Sequence, residues 1–92
     1  MASNGVKDNR ERSRFELEEA GWVAFANYRR EGSVLSIRYV EAPPALRGKG
    51  TAGRLMKGIM ETARAEGATV IPLCSYAAAW PRRHKEWHDL TD

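Results

Sequence analysis

Disulfide bridges are the first thing this chain cannot have. Its 92 residues include one cysteine, Cys74, so no internal bridge can form and nothing argues for an oxidising compartment. Clustered metal ligands are missing too. His84 and His88 stand four apart but lack the further Cys, His or carboxylate partners that zinc spacing requires, so no metal site is expected. No apolar run approaches the ~20 residues of a membrane-crossing helix, and Met1–Gly5 carries no apolar signal region. The default expectation is a cytoplasmic protein with no membrane partner. A strong charge imbalance is also lacking. Fifteen basic residues are offset by twelve acidic ones, leaving +3 and a pI near 9.4. That balance suits an acidic ligand, either a phosphorylated cofactor or nucleic acid, without choosing between them.

What remains is an ordinary soluble composition, 42% hydrophobic and 29% charged, in a length that makes one small domain spanning residues 1–92. Residues 1–5 read as a loose tail. Val6-Lys7-Asp8 reads as a short strand, with Asp8-Asn9-Arg10 turn-like. Arg14–Glu18 alternates apolar with charged residues, which points Phe15 and Leu17 inward. Glu19-Ala20-Gly21 turns the chain into Trp22–Arg29, a central strand. Glu31-Gly32-Ser33 is the next hairpin turn, and Val34–Glu41 is a fourth strand rich in β-branched and aromatic residues. Short loops between these runs imply an antiparallel meander.

A helix follows. Ala52, Leu55, Met56, Ile59 and Ala63 form one apolar stripe, with Arg54, Lys57, Glu61 and Arg64 opposite, and Gly67 fits the stop position. Ala68–Leu73 reads as a fifth strand, parallel to the fourth because a crossover helix joins them. Two parallel strands that part at their ends would leave a slot for a ligand. Ser75 is the expected N-cap of a last helix through Trp80. Pro81 is expected to break or kink it, and Trp87 and Leu90 to dock back. The fold class is therefore α+β: a mostly antiparallel sheet of about five strands, one long amphipathic helix and a short C-terminal helix.

The residues between the fourth strand and the long helix carry the chemistry. Pro43-Pro44 ends the strand, and Arg47-Gly48-Lys49-Gly50-Thr51-Ala52-Gly53 leads into the helix. Glycines let backbone N–H groups face a ligand. A helix's first turn offers unpaired donors and the positive end of its dipole, a natural seat for phosphate. The Walker spacing is absent. Gly48-x-Gly50-x-x-Gly53 satisfies the dinucleotide fingerprint, but that belongs in a parallel βαβ unit, and the strands before this loop read as antiparallel hairpins.

Arg47-x-x-Gly50-x-Ala52 resembles the signature of the GNAT acetyltransferases. More narrowly, the Pro43–Gly50 loop, Val70-Ile-Pro-Leu-Cys-Ser-Tyr76 and the tail Arg82–Trp87 together resemble the very small GNAT-like acetyl-CoA-binding proteins. Lys85 and Trp87 depart from the proline and tyrosine usual in that tail. The resemblance implies a minimal GNAT-like fold and an N-acetyltransferase that uses acetyl-CoA or coenzyme A and an amine acceptor it does not identify. It implies pyrophosphate contacts from Arg47, Gly48, Lys49, Gly50, Thr51, Ala52 and Gly53, with backbone donors near Tyr39, Val40 and Glu41 for the thioester oxygen. Elements that shape the acceptor site in full-size relatives are missing.

Acyl transfer also needs a neutral amine and a route for the leaving thiolate. Glu41 is a candidate base or a solvated carboxylate. Cys74, just before a helix start, is a candidate thiolate acceptor or cofactor contact, or else a buried small hydrophobe. Tyr76 either protonates the thiolate or packs. Arg83 and His84, among Arg82 and Lys85, form a basic patch for the cofactor's 3′-phosphate or a solvated one. Trp22, Trp80 and Trp87 read as core or edge packing. Two alternatives accompany the transferase reading. One is a module that binds coenzyme A or acyl-CoA without catalysis. The other, a nucleic-acid-binding protein, is disfavoured by the lack of an aromatic RNA-binding strand or a helix-turn-helix. A monomer or weak homodimer is expected.

Overall fold

A computed structural model describes residues 5–91; most of the expected tail lies outside them. Five strands form one sheet whose spatial order follows the chain, β1 (Val6–Asn9), β2 (Arg14–Glu19), β3 (Trp22–Glu31), β4 (Val34–Glu41) and β5 (Thr69–Pro72). The first four pair antiparallel, and β5 lies parallel to β4. Helix α1 (Thr51–Glu66) makes the crossover, and α2 (Ser75–Arg83) is followed by a 3-10 segment, Lys85–Leu90. The mixed α+β fold read from the sequence is the fold observed.

Alternation in the strands decides where the core sits. Phe15 and Leu17 of β2, Ala24, Ala26 and Tyr28 of β3, Leu35 and Ile37 of β4 and Val70 of β5 are buried together. They meet Leu55, Met56, Ile59, Met60 and Ala63 of α1, and α1 touches all five strands. Ala52 of the expected stripe is only half-buried. Trp80, Trp87 and Ala77 extend the core from the C-terminal segment, and Leu90 packs against it. Trp22 lies outside this core, half exposed at the first position of β3.

Three local expectations are corrected. Asp8 and Asn9 are not in the turn: they pair with Phe15 and Arg14, which leaves residues 10–13 to reverse the chain. Ser13 there is held at a φ of 52°, and its carbonyl accepts the Tyr28 N–H at 2.9 Å. Ser75 is not the cap of α2. Cys74 is, its sulfur accepting the Ala77 N–H at 3.3 Å, so the thiol takes the role expected of the hydroxyl one residue later. Pro81 does not break α2, which runs on to Arg83. The proline forfeits the bond its N–H would make to the Ala77 carbonyl one turn back, and its ring is buried.

The two ends of α1 are finished differently. At the C-terminus Gly67, with φ 71°, donates back to Ala63 and Arg64, and the Ala68 N–H reaches the Ala63 carbonyl at 2.8 Å. Both donors fold back on the last-turn carbonyls, the Schellman closure that left-handed glycine allows. Arg64 then ties this end to the C-terminal segment through the Glu86 carbonyl at 2.8 Å and Asp89 at 2.9 Å, with its guanidinium over Trp87.

Candidate functional site

Nothing comparable closes the N-terminal end of α1. Pro43-Pro44 starts a short 3-10 turn, Pro44–Leu46, whose Leu46 is buried and anchors the loop. The Arg47 and Lys49 N–H groups fold back on Pro44 and Leu46 at 3.2 and 3.4 Å. Gly50 takes the cap position at φ 78° and offers no side chain to cap with. Among the described residues, no acceptor within the chain meets the N–H groups of Gly48, Gly50, Thr51, Ala52 or Gly53. Gly48 also has a positive φ, 76°, so the turn holds two left-handed residues that side chains with a Cβ would strain. Arg47 and Lys49 are exposed. Among the described residues this is the one helix end where backbone donors, dipole and formal positive charge coincide.

A network not read from the sequence fixes this end. Glu19, the last residue of β2, receives the Thr51 hydroxyl at 2.6 Å and a two-pronged contact from Arg54 at 2.6 and 2.7 Å. Arg54 also donates to the Lys49 carbonyl at 2.9 Å. The Arg54 guanidinium, with help from the Thr51 hydroxyl, holds the Glu19 carboxyl down to about 2. Thr51 is 1% exposed, and its side chain is spent on Glu19. The signal available in the sequence was the acid ending one strand and the basic residue in the helix's first turn, but nothing local shows that they meet.

The end of β4 forms the second part. Pairing with β5 stops where Ile37 faces Pro72, and the Leu73 N–H makes a last bond to the Ile37 carbonyl at 2.9 Å. Residues 38–41 run on past the end of β5, while Leu73 and Cys74 lead away into α2. Tyr39, Val40 and Glu41 thus sit on strand backbone that has β3 on one side and no strand on the other. Val40 packs against the core, and the Tyr39 hydroxyl donates to the Glu41 carboxylate. That bond raises the Tyr39 pKa. A shift in register between Asn27 and Tyr28 leaves Arg38 as an extra residue in β4.

The third part is the start of α2. Cys74 is half-buried. The Tyr76 hydroxyl and the Trp80 indole nitrogen approach Gly53: a Cβ there would lie 3.8 and 3.6 Å from them. Burial raises the Tyr76 pKa. His84 stacks on Trp80, with centroids 3.9 Å apart and planes 19° from parallel, while Arg83 is exposed beside it. Tyr76, Ala79, Trp80, Arg83 and His84 line a cavity of about 310 Å³. The fold therefore brings Gly53, Tyr76, Trp80 and His84 to one place. Glu41 is committed instead to Tyr39. Among the described residues no group of three or more His, Cys, Asp or Glu is placed to hold a metal, and no helix is long and apolar enough to cross a membrane.

The fold and this loop define a class: an α+β domain in which antiparallel hairpins feed one parallel pair, and the crossover helix opens on a glycine turn with free amides. The family model for GCN5-related N-acetyl-transferases matches residues 14–90, and the chain belongs to that family. In architecture it is similar to a GCN5-like protein from Staphylococcus aureus solved by NMR. The TM-score is 0.73 at 22% identity, over 100% of this chain and 91% of that one. Comparison with curated proteins gives no match.

Proposed function

We propose that this chain is an N-acetyltransferase that binds acetyl-CoA at the start of α1 and passes the acetyl group to an amine. The observation that carries this reading is the run of unpaired amides at Gly48 and from Gly50 to Gly53, in a chain of this family. A diphosphate would complete their hydrogen bonds, with Arg47 and Lys49 adding charge. The pantetheine arm would leave along the stretch of β4 beyond the end of β5, where an amide of Tyr39, Val40 or Glu41 meets the thioester oxygen. Arg83 and His84 are the candidates for the 3′-phosphate.

The amine lone pair attacks the thioester carbon, and the C–S bond breaks with its electron pair staying on sulfur. The amine proton goes to a base, for which Glu41 is the nearest carboxylate along the strand. Releasing Glu41 from the Tyr39 hydroxyl is the step this role requires. Tyr76 suits a narrower role than full proton donor. Its pKa is raised by burial, and complete transfer to a thiolate with a cysteine-like pKa of about 8.5 runs uphill. Its proposed role is to stabilise the departing thiolate as a hydrogen-bond donor. Cys74 takes no covalent part in this scheme, since its sulfur caps α2.

Calorimetric titration with acetyl-CoA tests the reading. Saturable one-to-one binding is expected, and its absence would end it. The engagement of Glu41 by Tyr39 favours a second reading, a module that holds a coenzyme A thioester without catalysis. Thiol release from acetyl-CoA in the presence of an amine panel separates the two, because a module binds and stays silent.

A further inference from the structure

A concave space of about 510 Å³ lies over the β3–β4 pair, away from the start of α1, lined by Arg12, Ser13, Asn27, Tyr28, Arg38 and Tyr39. Two backbone irregularities build it. The extra residue in β4 lets neighbours Arg38 and Tyr39 both be exposed on the same hollow, whereas a regular strand would send them to opposite faces. On the other side of β3, Ser13 in its left-handed conformation bonds to the Tyr28 amide and sets Arg12 across from them. Six other arginines, residues 10, 14, 29, 30, 54 and 64, form ion pairs. Arg12 and Arg38 are in none of those pairs. Glu16 is engaged by Arg14 at 2.6 Å, with Arg12 adding only a longer-range pull, and Glu41 by Tyr39. The Asn27 amide is half-buried at the floor.

Two guanidinium groups with no ion pair among the described residues, and an amide between them, match the geometry of an oxyanion, since arginine forks bind carboxylate or phosphate in a planar, two-pronged way. Tyr39 lines this hollow and also belongs to the strand end where acyl transfer is proposed. Along the strand, Arg38 and Glu41 are on the order of 10 Å apart. We infer that the hollow holds the acidic group of the acceptor, so that the substrate is a small amine carrying a carboxylate or phosphate a few bonds from its nitrogen. This rests on the transferase reading for the acceptor role, though not for anion binding itself.

The test uses matched pairs: lysine against cadaverine for carboxylate, and phosphoethanolamine against ethanolamine for phosphate. Each is titrated into isotope-labelled protein without acetyl-CoA, following the Asn27 side-chain amide, and each is assayed for acetylation. The acidic member of at least one pair is expected to shift Asn27 and to have a kcat/KM about tenfold or more above its partner lacking the acidic group. Arg12→Gln with Arg38→Gln should abolish that preference while leaving the melting temperature and acetyl-CoA affinity unchanged, since both side chains are exposed. Equal response to the members with and without the acidic group, with normal acetyl-CoA binding, would overturn the anion site and leave the transferase reading standing. Anion-dependent shifts without acetyl-CoA binding would overturn the acceptor role.

Discussion

The two ends of α1 sit on one rigid element and receive opposite treatment. The C-terminal end is closed twice, by backbone donors from Gly67 and Ala68 and by Arg64 reaching Asp89. The N-terminal end is held in place from outside, through Glu19, but its own amides stay unanswered. Closing a helix end contributes stability, whereas leaving one open keeps donors for something else. The contrast teaches where to look in a small fold with little spare surface: at the end that the fold holds still without satisfying it.

Four variants break or sharpen that contrast. The largest effect is expected midway between the ends. Ile59 is fully buried in the helix–sheet contact, and Ile59→Asp places a charge there. Its cost is comparable to the whole stability of a domain, about 5–15 kcal/mol, so circular dichroism should show an unfolded chain. At the open end, Arg47→Glu with Lys49→Glu should weaken acetyl-CoA by about a hundredfold, measured by calorimetry, while the melting temperature holds because both residues are exposed. The closed end should behave in reverse. A Cβ at Gly67 meets nothing within 4 Å, so Gly67→Ala costs only left-handed strain, about 1 kcal/mol. Chemical denaturation should register that loss, with acetyl-CoA affinity untouched.

The smallest effect is the pH-dependent one. Folding lowers the Glu19 carboxyl from 4.5 to about 2. A carboxylate with a depressed folded pKa stabilises fully above its unfolded value, and that contribution fades as pH falls from 4.5 towards 2. The Arg54 guanidinium is solvent-exposed, which keeps the effect modest. Melting curves of native protein and Glu19→Gln should therefore differ slightly at neutral pH and converge near pH 2. A constant gap across that range would mean that the Glu19 charge is not what fixes the open end.

Periodic elements were the readable part of this sequence. The alternation of Phe15 and Leu17, the bounds of Val34–Glu41, the stripe from Leu55 to Ala63 and the Gly67 stop all follow from local rules and hold in the structure. So does the expectation that β4 and β5 run parallel. The glycine turn was also legible, because Gly48 and Gly50 stand where side chains would be strained. What escaped was contact between distant residues. Glu19 read as a turn residue, yet it meets Thr51 and Arg54 more than thirty positions away. Glu41 read as facing the loop, and nothing local announced that the Tyr39 hydroxyl would hold it. The bulge at Arg38 was hidden because register belongs to a pair of strands, and only one strand's pattern is visible at a time. Cys74 displaced Ser75 as a cap because either side chain can accept an amide, and the backbone's path into α2 decided which one did.

Strand order that repeats chain order has a kinetic consequence. Each of the first three pairings closes through a short connection, and such hairpins form in about 1–10 μs. Joining β5 to β4 must wait for the chain to travel through the glycine turn and the whole of α1, the longest closure among the pairings of these five strands. Low contact order elsewhere makes for fast folding, so the rate-limiting event is expected to be the arrival of β5 at the sheet edge. Truncating Val70 should then slow refolding more than an equally destabilising cut at Phe15.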